Sequence, residues 1–134
     1  MLSAHKMRAY TSQIEKIRDM VSNLTLNDAS KAFNGLEEIA NATHIFNCTW
    51  FAEIRSDELA DAVVELEQAA SDAMFSAMAM IDDGWADDGF EDLVFEKMEE
   101  DILPELEGAI RDFLWALHNE EQKKWALHNA KQDA

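Results

Sequence analysis

Carboxylates dominate the chemistry available to this chain. From Asp82 to Glu107 the stretch DDGWADDGFEDLVFEKMEEDILPELE sets twelve acids against one base, Lys97. Groups of this kind hold metals or move protons, and each use demands its own spacing. A di-iron bundle needs Glu-x-x-His pairs on facing helices. The residues three before His5, His44, His118 and His128 are Leu2, Asn41, Trp115 and Trp125, so that pairing fails. A calcium loop of the EF-hand type needs acids at its first, third, fifth and twelfth positions and glycine at the sixth. With Gly89 as the sixth residue, Gly84 and Ala86 occupy ligand positions; with Gly84 there, Ala79 and Ile81 do. Loose calcium association by Asp82, Asp83, Asp87 and Asp88 is the one metal reading left open. One cysteine and scattered histidines disfavour zinc. The expectation is no metal site and no cofactor.

Nucleophilic catalysis requires Ser, Thr or Cys beside a base that a third group orients. Cys48 lies in the aromatic, apolar run IFNCTWF, which predicts a buried, inert thiol. There is no glycine-rich phosphate loop and no G-x-S-x-G turn. Paired carboxylates at this density say almost nothing about acid–base work. No catalytic residue is nominated, and an enzyme is the least favoured class.

The elements that must carry these acids follow from apolar periodicity. Met7, Tyr10, Ile14, Ile17, Val21 and Leu24 recur at three-four spacing, which predicts a first helix over 3–24. Thr25 to Asp28 supply capping side chains for a second, whose inner face is Phe33, Leu36, Ile39, Ala40, Thr43, Phe46 and Trp50. Gly35 weakens its start and admits a separate short turn before Asn34. The aromatic and β-branched run 43–51 is where a break or strand would fall. Ser56-Asp57-Glu58 reads as a helix start, Leu59, Val63, Leu66, Ala70, Ala73, Ala77 and Ile81 as its stripe, and Gly84 as its stop. That predicts a third helix over about 57–82. A fourth begins with Phe90, Leu93 and Val94, and Pro104 should kink or restart it. The fold class is therefore all-α: one domain over 1–134, an antiparallel bundle of four main helices, the last kinked or broken at Pro104.

On these helices the acids acquire a period. Asp57, Asp61 and Glu65 form an i, i+4 ladder, with Glu58, Glu65 and Asp72 repeating every seven. Asp88, Asp92, Glu96 and Glu100 form a second, with Glu99 beside it. Successive rungs rise by about 6 Å, on the length scale of nucleic-acid phosphates. Five like-charged pairs at this spacing cost on the order of 1–2.5 kcal/mol, an appreciable part of a small domain's stability. Solvation alone explains many acidic faces, but here the charge is local. Residues 53–107 hold nineteen acids and two bases, the whole formal net charge of −17, while both flanks balance.

Composition narrows the class. Four glycines and one proline are few for a sheet protein, and a single cysteine excludes an intramolecular disulfide. The start of the chain has no signal-peptide core and no stretch is a membrane span, so a cytoplasmic protein is expected, in a host cytoplasm if phage-encoded. Net negative charge repels nucleic acid and anionic membranes and attracts basic surfaces. The favoured expectation is an acidic inhibitor of a basic nucleic-acid-binding protein or complex. It would act as a nucleic-acid mimic of the kind phages and mobile elements direct against restriction or CRISPR machinery. Its expected contact residues are Asp57, Asp61, Glu65, Asp72, Trp85, Asp87, Asp88, Asp92, Glu96, Glu99 and Glu100. Trp85 is either an exposed hot spot or a core anchor for the turn. One alternative is an immunity protein or antitoxin against a basic toxin. Another is a helical assembly module, which admits a homodimer through methionine and aromatic surfaces.

Overall fold

In the computed structural model, which describes residues 4–50 and 57–133, the three-four stripes become the faces of a helical bundle. α1 (Ala4–Ser22) buries Met7, Tyr10, Ile14, Ile17 and Val21. It ends where Asn23 and Leu24 close back on Asp19 and Val21. Asp28 then caps α2 (Ala29–Trp50), its Oδ1 accepting the Lys31 backbone N–H at 3.0 Å. Gly35 has a packing reason: a Cβ there would run into the Leu24 side chain, so its absence lets α2 pass the preceding loop. The helix shows no separate first turn, and it continues through 43–50 without a strand. Ile54 and Ser56 lie outside the described residues.

α3 (Asp57–Asp82) has the predicted bounds and buries the predicted stripe, with Ile81 partly covered at its end. Its Ala62, Ala69, Ala70, Ala73 and Ala77 allow close approach, and α3 packs most extensively on α2 and then on α5. Gly84 stops it in the left-handed region, at φ +85°. The Gly84 N–H reaches Ile81 O at 3.0 Å and the Trp85 N–H reaches Met80 O at 2.9 Å, the paired bonds of a Schellman end. Met80 is buried and Trp85 packs against the core, which supplies the apolar contact of that motif. Gly84→Ala is therefore expected to cost about 1–2 kcal/mol of stability in urea denaturation, from backbone strain alone.

The last helix is made of three pieces: α4 (Glu91–Lys97), a π turn (Met98–Ile102) and α5 (Leu103–Asp133). Pro104 explains the π turn. In an α-helix its ring would crowd the carbonyl of Glu100, four residues back, and leave it without a donor. Widening the preceding turn, with the Leu103 N–H bonded to Met98 O, accommodates the ring while the helix runs on. α1, α2, α3 and α5 each pack on two of the others, closing a four-membered ring. At its centre Phe46 makes edge contacts with Tyr10 and Phe113, with centroids 5.7 and 5.5 Å apart. No helix among the described residues is long and apolar enough to cross a membrane.

Candidate partner-binding surface

The acids occupy three settings. The first is α3 against α5, where Asp61, Val64, Glu65, Gln68 and Ala69 face Glu105 and Ala109 across an open groove of about 370 Å³. Asp61, Glu65 and Glu105 are exposed. The α3 ladder thus converges with an α5 carboxylate. Asp57 opens α3, but its side chain lies outside the described residues. Glu58 is tied to α5 by Asn119 at 3.2 Å and Lys123 at 3.6 Å. Asp72 is exposed and accepts a bond from Gln68 at 2.9 Å.

The second setting is the turn after α3. Asp82, Asp83, Asp87 and Asp88 are all exposed around Gly84 and Gly89, the latter at φ +99°. Among the described residues no three His, Cys, Asp or Glu side chains converge closely enough to hold a metal ion. Asp88 lies in this turn and not on a helix, so it is not a rung of the second ladder. Trp85 is half-buried against the core. That packing fits the anchor role for the turn.

The third setting is α4 and the π turn. Val94, Met98 and Ile102 face the core. At about 100° per residue, Asp92 and Glu96 then share the outer ridge of α4, while Leu93 and Phe95 flank Val94 on either side. Both flanking chains are exposed, at 47% and 44%, and Phe90 precedes them, also exposed. Leu93 and Phe90 were expected in the apolar stripe. They are outside because this seven-residue helix buries one side chain, Val94. Glu99, Glu100 and Asp101 follow as three consecutive exposed acids, fitted between buried Met98 and Ile102 by the wider turn. Glu91 and Asp92 are favoured at the positive end of α4.

Little of this charge is neutralised. Lys97 pairs with Asp101 at 3.0 Å, but Asp61, Glu65, Asp72, Asp87, Asp88, Asp92, Glu96, Glu99 and Glu100 have no ion pair among the described residues. Of the five like-charged steps, Asp57–Asp61, Asp61–Glu65 and Asp92–Glu96 lie in regular α-helix, a repulsion of about 0.6–1.5 kcal/mol. The α1–α5 side differs: its grooves mix Arg8, Glu15, Arg18, Glu107, Arg111 and Glu121. Charge is segregated in space as well as along the chain.

The exposed apolar side chains of α4 escaped the sequence reading, although their signal was present. Leu93, Val94 and Phe95 are consecutive, and three consecutive residues cannot share one narrow stripe.

A separate polar cluster links α2 to α3. His44 Nδ1 lies 2.6 Å from Glu67 Oε1, and Asn47 donates to the other carboxylate oxygen. Cys48, expected to be buried, is exposed, with Sγ 3.6 Å from His44 Nε2. Its apolar neighbour Phe46 is about 200° around the helix, whereas His44, four residues back, shares its face. Burial pushes the Glu67 carboxyl up. The His44 and Asn47 hydrogen bonds and the imidazole charge together outweigh that and hold it below its ordinary value. A lowered folded value means the unfolded chain binds this proton more readily. The link's contribution is thus present above about pH 4.5 and is lost as the pH falls through the lowered value. Glu67→Gln is expected to flatten that part of the acid-unfolding profile, by less than about 1 kcal/mol because His44 is 64% exposed.

Compared with protein-family models, with curated proteins and with solved structures, the chain matches none.

Proposed function

We propose that this protein is a binding protein that occupies the basic surface of a nucleic-acid-binding protein or complex and so keeps nucleic acid away. The observation that carries the reading is the uncompensated outer face of α4 and the π turn. There Asp92, Glu96, Glu99 and Glu100 stand exposed beside Leu93 and Phe95. Charge alone would attract any basic surface and would be weak in salt. An apolar side chain within an acidic rim adds the desolvated contact that protein interfaces use for affinity. Retaining like charges that oppose helix formation is consistent with a partner that neutralises them.

The mechanism is steric and electrostatic competition. Long-range attraction steers the acidic face to the basic groove, and Phe90, Leu93 and Phe95 then bury against the apolar floor or rim. Its setting would be anti-defence, against a restriction or CRISPR complex. A co-encoded basic toxin would engage the same surface, and lethality on deleting this chain alone would mark that case.

The test is capture on the immobilised protein at low salt, followed by a salt gradient. Retention of a basic nucleic-acid-binding protein, absent from a column bearing Leu93→Ser and Phe95→Ser, is the expected result. Equal retention on both columns would reduce the surface to an ion exchanger.

A further inference from the structure

Opposite its buried stripe, α3 carries a second apolar line that faces solvent. Val64 and Phe75 are 55% and 57% exposed, and Met78, one turn beyond Phe75, is exposed as well. Helical rotation brings Phe75 round to within about 20° of Val64, and Met78 lies about 40° to the other side. The three therefore share one face over about 21 Å of helix.

The flanks of this line differ. On the α5 side Asp61 and Glu65 border it, and with Glu105 they open onto the groove floored by buried Ala69 and Ala109. None of these three carboxylates has an ion pair among the described residues. On the α2 side Glu67 is already engaged by His44 and Asn47. No Lys or Arg occurs anywhere in α3.

We propose that this face binds a basic amphipathic helix of a partner protein, its apolar stripe on Val64, Phe75 and Met78 and its Lys or Arg side chains along the flank next to α5. The inference depends neither on the α4 face nor on whether that partner binds nucleic acid.

Length and charge select this occupant. A line of about 21 Å matches about four turns of a partner helix, whose own stripe repeats at three-four spacing. Strand addition is closed, because the described residues include no strand and so no sheet edge. A Lys or Arg stem can lie on Val64, Ala69 and Ala109 while its head reaches Asp61, Glu65 or Glu105. A second copy of this chain would set the same acids against each other, and an anionic membrane would be repelled.

The experiment uses a fluorescein-labelled synthetic peptide of about 18 residues, five turns of helix, with leucines at three-four spacing and lysine and arginine elsewhere. A second peptide of the same composition has its leucines scattered around the helix. Fluorescence anisotropy at low salt should show the amphipathic peptide binding about tenfold tighter than the scattered one. The variant Val64→Ser with Phe75→Ser should lose that advantage, whereas Leu93→Ser with Phe95→Ser should keep it. All four positions are exposed, and unchanged helical circular dichroism verifies folding. If the α3 variant did not fold, Glu65→Lys with Glu105→Lys on the same flank would replace it, and should weaken the amphipathic peptide about tenfold. Equal binding of the two peptides to the unaltered protein would overturn the proposal and leave a face that only exchanges ions. Loss of the advantage in the α4 variant, with the α3 variant unaffected, would overturn it too, while leaving the function proposed for α4 standing. A dimer in sedimentation that the α3 variant dissociates would overturn it in favour of a second copy.

Discussion

Replacing Glu96, Glu99 and Glu100 together by glutamine is expected to stabilise the protein and weaken its binding. The stability gain comes from removing like charges three and four residues apart, Asp92–Glu96 foremost, at roughly 0.2–0.5 kcal/mol for each helical pair. Urea midpoints should therefore rise slightly. Asp92 is left in place because its charge favours the first turn of α4, and removing it would mix two effects. Association with a basic partner should slow by about tenfold at low ionic strength. The difference should shrink as salt screens the steering field. Opposite signs for stability and binding separate a recognised surface from a solvated one. A face read only by water would show the stability gain with no change in association rate.

The largest loss of stability is expected at the centre of the ring. Phe113 is fully buried and stacks edge-on with Phe46, which does the same with Tyr10, so one side chain couples α1, α2 and α5. Phe113→Ala should cost about 3–5 kcal/mol, a large part of the ~5–15 kcal/mol that holds a typical domain folded. Phe75→Ala on exposed α3 surface should fall within about 0.5 kcal/mol of the unaltered protein. Equilibrium urea unfolding of both variants checks the pair. Similar midpoints would mean that the Tyr10–Phe46–Phe113 cluster is not the core.

The legible parts of the fold were those where one strong local signal had no rival. α3 combined an uninterrupted stripe with Gly84, and its bounds emerged as expected. Asp28 capped α2 as its type suggests. Pro104 marked the site of a distortion but not its form, because a kink, a break and a π turn all satisfy a missing N–H. The second carboxylate ladder was half legible: Asp92 and Glu96 share a ridge, whereas Asp88 sits in the turn and Glu100 in the π turn. A spacing of four places acids in register only while the backbone stays α-helical. Cys48 is exposed although the run around it is aromatic and apolar, because consecutive residues of a helix point in different directions. The His44–Glu67 link depends on two helices meeting, which residue spacing within one helix does not encode.

The central claim is that the acidic face and nucleic acid compete for one surface, and competition binding tests it most directly. With a captured partner held at fixed concentration, the apparent dissociation constant of this protein is measured against increasing duplex DNA or RNA. Mutual exclusion predicts a linear rise in that constant without limit, and full release of nucleic acid at saturating protein. A plateau, with partner, nucleic acid and this protein in one ternary complex, would contradict it.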